Sequence, residues 1–398
     1  MPADSHSSES IPKVKVSPRG AARLKDGHVW VYRSDLVSAE GIAPGSLVRV
    51  ADHRGRFLGT ALYSSSSQIA IRMISRHEVT DLPALVAERV RAAIAYRAKV
   101  VSDTNACRVA FSESDGLPGL IIDRYNDVVS VQILTQAMDA DAVRTAVVKT
   151  LVEELQPAGI VERVDGRIRE LEQLPARRSG LLWGEKSAAV IEMNGVCFYY
   201  DGLEGQKTGA FLDQRENYAV ATHYAHGEAL DVFCYQGGFA LHVAPKCSSV
   251  TGVDSSRPAL EMAEKNAALN GRELDWIEAN AFDLLKDYAA AGHHYDTIVL
   301  DPPAFAKTKR DLDKALRGYK ELNLRALKML RPGGILVTCS CSFHVSAADL
   351  LEVVADAARD AHKSLRLPEQ RGQAKDHPIL LNVPETAYLK CLVLSIRD

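Results

Sequence analysis

Short apolar runs separated by glycines, prolines and charged turns fill the first part of the chain. Strand-like runs cover 45–50, 57–63 and 69–74. Short strands at regular spacing, with this punctuation, are typical of small barrels. The pattern predicts a small β-barrel domain over residues 12–78, preceded by a loose polar tail over 1–11.

Helical and strand periods alternate in the next segment. Apolar residues recur at helical spacing over 82–101, and a second helix is predicted over 140–155. Strand-like runs lie at 119–123, 128–134 and 159–164. These elements predict a small α+β domain over 79–192, in which the charged stretch 165–186 forms a linker or surface loop.

The pattern changes to strand, helix, strand from about residue 193. Continuously apolar strands are predicted at 229–233, 250–254, 276–277, 297–300 and 335–338. Helices are predicted at 239–244, 258–270 and 312–330. Such alternation indicates a parallel sheet with helices on both faces. The fold class is therefore α/β, with a Rossmann-like domain over 193–398 behind the two smaller domains.

Composition narrows the class of protein. The chain has 398 residues, 46% of them apolar and 25% charged, which excludes collagen-like and wholly disordered proteins. No run approaches the 18 apolar residues of a membrane span. Its seven cysteines are an odd number without a CxxC pair. They favour a reducing cytoplasmic location and argue against disulfides and against a metal site.

Charge is divided unevenly along the chain. Residues 11–110 hold 16 basic and 8 acidic side chains, a net of +8, whereas the whole chain has a net charge of −3. A basic N-terminal segment attached to an acidic remainder is typical of proteins that contain a nucleic-acid-binding module. The alternative is a solvated basic surface without a partner.

Polar residues at strand ends suggest a cofactor site. Asp231 lies near the end of one predicted strand, and Asp254 ends the next, where a carboxylate can accept hydrogen bonds from a ribose diol. Asn280 and Ala281 follow a third strand, placed to contact a purine. Gly237 belongs to a poor match to GxGxxG, so a pyrophosphate cradle is not expected. The set fits S-adenosylmethionine; the alternative for Asp254 is a helix cap.

Two further motifs suggest the chemistry. The stiff loop Asp301-Pro302-Pro303-Ala304-Phe305 follows the fourth strand and resembles a loop of methyltransferases that act on planar nitrogen bases. Cys339 and Cys341 follow the fifth strand. Carbon-5 of cytosine becomes nucleophilic only after a thiolate adds to carbon-6, whereas amine methylation needs no cysteine. Asp301 could hydrogen-bond the N3 edge. The alternative is that both cysteines are small buried apolar residues.

Together these stretches carry a family resemblance over nearly the whole chain. The matching segments are 205–215 (GQKTGAFLDQR), 231–239 (DVFCYQGGF), 301–305 (DPPAF), 340–342 (SCS), 376–378 (DHP) and 385–390 (ETAYLK). The sequence resembles the bacterial large-subunit ribosomal RNA cytosine-C5 methyltransferases, class I enzymes that carry an N-terminal PUA domain.

The resemblance implies roles for the domains and for the two cysteines. The front barrel would be the RNA-binding PUA module, and the middle domain would help to frame the RNA cleft. Cys341 aligns with the nucleophile and Cys339 is the reserve candidate, with Asp301 as the second catalytic residue. Relatives tend to carry an acidic residue where Asn280 stands, and an amide oxygen can still contact an adenine amine.

The resemblance also implies binding residues. The cofactor set is Gln214, Asp231, Phe233, Gly237, Asp254, Asn280, Ala281 and Asp301. The substrate set is Lys207, Thr208, Arg215, Pro302 and Phe305, with Gln206 at the same mouth. Asp213 and Arg215 could equally form a structural ion pair.

These features predict S-adenosylmethionine-dependent formation of 5-methylcytosine in large-subunit ribosomal RNA. Three alternatives stay open: a guanine-nitrogen methyltransferase that uses the same DPP loop, a non-catalytic ribosome-assembly protein, and a small-molecule methyltransferase. The last would leave the basic front domain unexplained. The expected partner is ribosomal RNA, without a membrane or metal, and a homodimer is left open.

Overall fold

The computed structural model describes residues 11–203, 210–306 and 308–397, in three sheets and a separate hairpin. The first unit comprises β1 (Lys13–Val16), α1 (Pro18–Lys25), β2 (Trp30–Tyr32), β3 (Leu36–Ser38), β4 (Leu47–Ala51), β5 (Phe57–Tyr63) and β6 (Ile69–Ser75). Its strand order is β2-β6-β5-β4-β1-β3. Strands β2 and β3 lie at opposite edges, yet only residues 33–35 join them. Because so short a link spans little distance, the sheet must curl into the expected barrel.

The second unit is a five-stranded sheet with order β11-β10-β9-β8-β7. Its elements are α2 (Leu82–Val100), β7 (Ala106–Phe111), β8 (Leu120–Tyr125), β9 (Val128–Ile133), α3 (Asp141–Leu155), β10 (Gly159–Glu162), α4 (Gly166–Leu171) and β11 (Gly180–Gly184). The prediction of a linker or loop over 165–186 is wrong, because this stretch contains α4 and β11. Strand β11 is a half-exposed edge strand and α4 has only six residues, so neither carries a clear period.

A β-hairpin joins the second unit to the third. Strands β12 (Ala188–Met193) and β13 (Val196–Asp201) pair through the turn Asn194-Gly195, where both residues have positive φ. That conformation matches the right-handed twist of a two-residue hairpin. The expected domain boundary at 192/193 falls inside β12. Inward side chains of the hairpin, such as Phe198, pack in the same core cluster as Phe239 of the third unit.

The third unit is a seven-stranded sheet with order β16-β15-β14-β17-β18-β20-β19. Its helices are α5 (Arg215–Tyr224), α6 (Gly238–Val243), α7 (Arg257–Leu269), α8 (Ala281–Ala291), α9 (Leu312–Met329) and α10 (Ala347–Asp360). Its strands are β14 (Gly227–Val232), β15 (Cys247–Asp254), β16 (Asp275–Glu278), β17 (Tyr295–Leu300), β18 (Leu330–Ser340), β19 (Leu365–Arg371) and β20 (Lys390–Ile396). Among the described residues, no helix has the length and apolarity needed to cross a bilayer.

The sheet is parallel only over its first five strands. Strand β20 pairs antiparallel with both β18 and β19, so two strands that were not predicted extend the expected parallel sheet into a mixed one. The reversal has a consequence for the site. Because β20 runs backwards, its first residue, Lys390, lies opposite Ser340 at the end where the parallel strands finish.

Candidate active site

The carboxyl ends of four adjacent strands converge on one cavity. Pairing aligns Val253, Val232, Leu300 and Thr338 across β15, β14, β17 and β18. The residues that follow them therefore meet at one edge, where ligands of such sheets bind. The cavity there has a volume of about 430 Å³. Six of the residues expected at the site line it: Gln214, Phe233, Asp254, Asp301, Pro302 and Cys341.

The loop after β14 forms one wall of this cavity, and its backbone is strained. Phe233 and Tyr235 have φ of 68° and 50°, a region that large side chains rarely adopt. The carboxylate of Asp254 accepts hydrogen bonds from the backbone N–H groups of Tyr235, at 2.9 Å, and Ser256, at 2.9 Å. It thus fixes the loop and retains acceptor capacity for ribose hydroxyls. The carboxylate, the apolar Phe233 and the cavity volume, within the usual ~300–1,000 Å³ range, fit S-adenosylmethionine.

Four other residues expected at the cofactor are not among those that line this cavity. Asp231 is buried, and its Oδ2 accepts a hydrogen bond from the Ala240 N–H at 2.8 Å, while Oδ1 has no partner among the described residues. Burial raises its pKa to about 8. Gly237 has φ of 85° and is the N-cap residue of α6. The Asn280 amide oxygen accepts the Phe282 N–H at 2.9 Å and so caps α8, whose first residue is Ala281.

The two candidate cysteines have different environments. Cys341 lines the cavity, and its Sγ lies 3.9 Å from the Pro302 carbonyl oxygen. Burial and the charges of Asp301 and Asp213 raise the pKa of this thiol to about 11. Cys339 is fully buried (0% exposed) and pairs across the sheet with Cys391. Since Cys339 has no access to the cavity, Cys341 is the candidate nucleophile on geometric grounds.

Asp301 is held by a chain of amides. The Gln214 side chain donates from Nε2 to Asp301 Oδ1 at 3.0 Å. Asn217 donates to the Gln214 amide oxygen at 2.7 Å and thereby fixes which end of that amide faces Asp301. Burial and the charge of Asp213 raise the pKa of Asp301 to about 7, against the effect of the Gln214 hydrogen bond. This carboxyl group can therefore hold or release a proton near neutrality.

A hydroxyl cluster that the sequence analysis missed joins the DPP loop to the cysteine loop. Ser342 Oγ accepts the backbone N–H groups of Phe305, at 3.0 Å, and Ala306, at 3.2 Å. The Tyr319 hydroxyl lies 3.0 Å from Ser342 Oγ and accepts a hydrogen bond from Ser340 Oγ at 2.9 Å. The two loops that carry Asp301 and Cys341 are thus bonded to each other. The signal in the sequence was the pair of serines flanking Cys341.

Lys390 places a buried cation behind the cysteine loop. Its Nζ donates to the carbonyl oxygens of Ser342, at 2.6 Å, and Tyr388, at 2.8 Å. Burial lowers the pKa of this lysine to about 8. Its positive charge acts on Cys341 in the direction that favours the thiolate. Lys390 ends the ETAYLK segment, to which the sequence analysis gave no role.

The residues expected to bind the substrate lie in different surroundings in the structure. Pro302 lines the cavity, whereas the Phe305 ring packs against Tyr319 at a centroid distance of 4.8 Å. Arg215, expected at the substrate mouth, is instead buried (2% exposed) and forms an ion pair with Asp376 at 3.2 Å. The structural ion pair that was the alternative for Arg215 thus forms with Asp376 rather than with Asp213. Gln206, Lys207 and Thr208 lie outside the described residues. No cluster of metal-binding side chains occurs within the described part of the chain.

Comparison with known proteins is consistent with this arrangement. Residues 14–76 match the PUA-like domain family, and residues 120–394 match the S-adenosylmethionine-dependent methyltransferase family. A relative from Shewanella denitrificans, "Ribosomal RNA large subunit methyltransferase I", is 39% identical over 96% of this chain and 99% of its own. A relative of the same name from Photobacterium profundum is 38% identical over 94% and 96%.

Two solved structures share the fold over 97% of this chain. A candidate methyltransferase solved in complex with SAH superposes with a TM-score of 0.83 at 18% identity, covering 97% of this chain and 100% of that one. A candidate SAM-dependent methyltransferase from Streptococcus mutans gives 0.81 at 18% identity, with the same coverage. Because the methyltransferase family matches more than half of its length, the chain belongs to the S-adenosylmethionine-dependent methyltransferases. A PUA-like domain precedes the methyltransferase part.

Proposed function

We propose that this protein methylates carbon-5 of a cytosine in large-subunit ribosomal RNA, through a covalent adduct between Cys341 and carbon-6 of the base. The observation that carries the proposal is a cysteine that lines the same cavity as Asp254 and Asp301. Methylation of an amine would need no thiol at this position. The name printed for the full-length relatives supports ribosomal RNA of the large subunit as the substrate.

Two protein groups prepare the base for methylation. The Cys341 thiol must lose its proton before it attacks, and Asp301, with a pKa of about 7, can accept a proton in the same cavity. Protonated Asp301 can then donate to N3 of the pyrimidine and neutralise the charge that develops as sulfur adds to carbon-6. Bound S-adenosylmethionine supplies the electrophilic methyl group. The Lys390 ammonium favours the thiolate from behind the loop.

The basic segment 11–110, which comprises the first unit and the start of the second, supports an RNA substrate. A target base must leave its stack to reach the thiol, at a cost of a few kcal/mol. Phosphate contacts from the +8 segment 11–110 would offset that cost and position the strand. A small-molecule substrate would have no use for these contacts.

The test is methyl transfer to large-subunit ribosomal RNA with labelled S-adenosylmethionine, followed by mass spectrometry of the nucleosides. We expect 5-methylcytosine from the wild type and none from Cys341→Ala, which should still bind the cofactor in a calorimetric titration. Cys339→Ala, two residues earlier at the end of β18, is the matched control and should retain activity. Methylated guanine, or an active Cys341→Ala variant, would reject the proposal. Absence of cofactor binding by the wild type would favour a non-catalytic assembly protein.

A further inference from the structure

Cytosine-C5 methylation leaves one proton without an acceptor. After the methyl group arrives, carbon-5 carries both the new methyl group and its original hydrogen, and that hydrogen must leave as a proton before the cysteine can be released. Neither Asp301, which serves N3, nor Lys390, whose Nζ donates two hydrogen bonds, is placed for this step. A further base is required.

Three carboxylates of the described residues line the cavity: Asp213, Asp254 and Asp301. Asp254 lies at the cofactor loop, and each of its oxygens accepts a backbone N–H. Asp301 accepts the Gln214 amide and lies on the DPP loop. Asp213 is therefore the carboxylate that remains without a role.

Asp213 is held in a fixed orientation beside the reacting groups. It precedes α5, and its backbone carbonyl accepts the Ala374 N–H at 2.8 Å. The Tyr388 hydroxyl donates to its Oδ2 at 2.6 Å and holds the carboxylate at the cavity, which Asp213 lines. Asp213, Asp301 and Cys341 line the same cavity, and the charge of Asp213 raises the pKa of both other groups.

We propose that Asp213 is the base that removes the carbon-5 proton, an inference that rests on the proposed cytosine-C5 function. The proton passes from carbon-5 to the Asp213 carboxylate. The electron pair of the broken C–H bond forms the carbon-5–carbon-6 double bond. The bond between carbon-6 and the Cys341 sulfur breaks, the sulfur leaves as a thiolate, and the proton on N3 returns to Asp301. Tyr388 is a positioning residue, because it holds the carboxylate through its second oxygen.

The test compares Asp213→Asn with Tyr388→Phe, using RNA that carries tritium at cytosine carbon-5. Asp213→Asn keeps an oxygen that can accept from Tyr388 but has lost the base. We expect turnover and tritium release to fall about 100- to 10,000-fold, while labelled methyl groups accumulate in a protein–RNA adduct on a denaturing gel. Tyr388→Phe keeps the carboxylate but removes the hydrogen bond that positions it, so tritium release should fall only about 10-fold, far less than in Asp213→Asn. Asp213→Ala should regain tritium release when formate is added.

A substrate analogue separates failure of this inference from failure of the proposed function. Wild-type protein should be trapped on RNA containing 5-fluorocytosine, because fluorine cannot leave carbon-5 as a cation. If that adduct does not form, the cytosine-C5 function itself fails. If it forms but Asp213→Asn turns over normally, loses cofactor affinity or accumulates no methylated adduct, the function stands and the role of Asp213 is refuted.

Discussion

Ser342→Ala tests whether the hydroxyl cluster holds the two catalytic loops together. The substitution leaves the buried N–H groups of Phe305 and Ala306 without their acceptor. A buried donor without a partner costs about 1–3 kcal/mol. The hydrogen bond of the Ala306 N–H is buried, whereas that of the Phe305 N–H is only partly buried and costs less to lose. We therefore expect the two losses together to lower the free energy of unfolding by about 2–4 kcal/mol. For a domain of some 200 residues, this lowers the Tm by roughly 5–15 °C.

Tyr319→Phe is the matched variant for this cluster. It removes the hydroxyl that bonds to Ser340 and Ser342 but leaves both backbone N–H groups on Ser342 Oγ. The expected loss is about 1–2 kcal/mol, because a typical hydrogen bond contributes near 1 kcal/mol. Thermal unfolding should therefore rank Ser342→Ala below Tyr319→Phe.

The same cluster should affect chemistry more than cofactor binding. A displacement of about 1 Å between reacting groups can reduce the rate ~100-fold. We therefore expect kcat of Ser342→Ala to fall by about that factor, while the Kd for S-adenosylmethionine, measured by titration, changes little. Equal stability of the two variants together with wild-type kcat in Ser342→Ala would refute the idea that Ser342 joins the loops.

Three other predictions concern pH, the cofactor and the fold. Because Asp301 must be ionised to take the Cys341 proton, activity should rise as pH increases through about 7, and it should fall again above about 8, where Lys390 loses the charge that favours the thiolate; a pH–rate profile that falls near 7 would contradict this. Asp254→Ala should weaken S-adenosylmethionine binding by about 10- to 100-fold, the loss of one or two hydrogen bonds to a charged group, and an unchanged Kd would refute it. Arg215→Met leaves the buried Asp376 carboxylate without its ion-pair partner and should lower the free energy of unfolding, measured in urea, by about 3–5 kcal/mol; unchanged stability would show that the pair is dispensable.

The strand-end residues were predictable because position along a parallel strand fixes the edge of the sheet. Asp254, Asp301 and Cys341 each follow an apolar run, and alignment of the runs brings the three together. By contrast, Asn280 follows a strand in the same way but its oxygen caps α8. Strand periodicity does not reveal whether a side chain points to a ligand or to its own helix.

The supporting contacts could not be predicted because they join distant parts of the chain. Arg215 and Asp376 are 161 positions apart, and their ion pair depends on how the 372–390 segment folds back over α5. Lys390 reaches the cysteine loop only because β20 runs antiparallel to β18. An apolar strand pattern gives no direction, so the sequence did not reveal this cation.

The identity of the residue bonded to RNA tests the central claim most directly. Wild-type protein trapped on 5-fluorocytosine RNA would be digested with protease and nuclease, and the conjugate sequenced by tandem mass spectrometry. We predict one peptide, containing Cys341, joined through sulfur to carbon-6 of the base. A conjugate on any other residue, or no conjugate from protein that binds S-adenosylmethionine and methylates the RNA, would contradict the account.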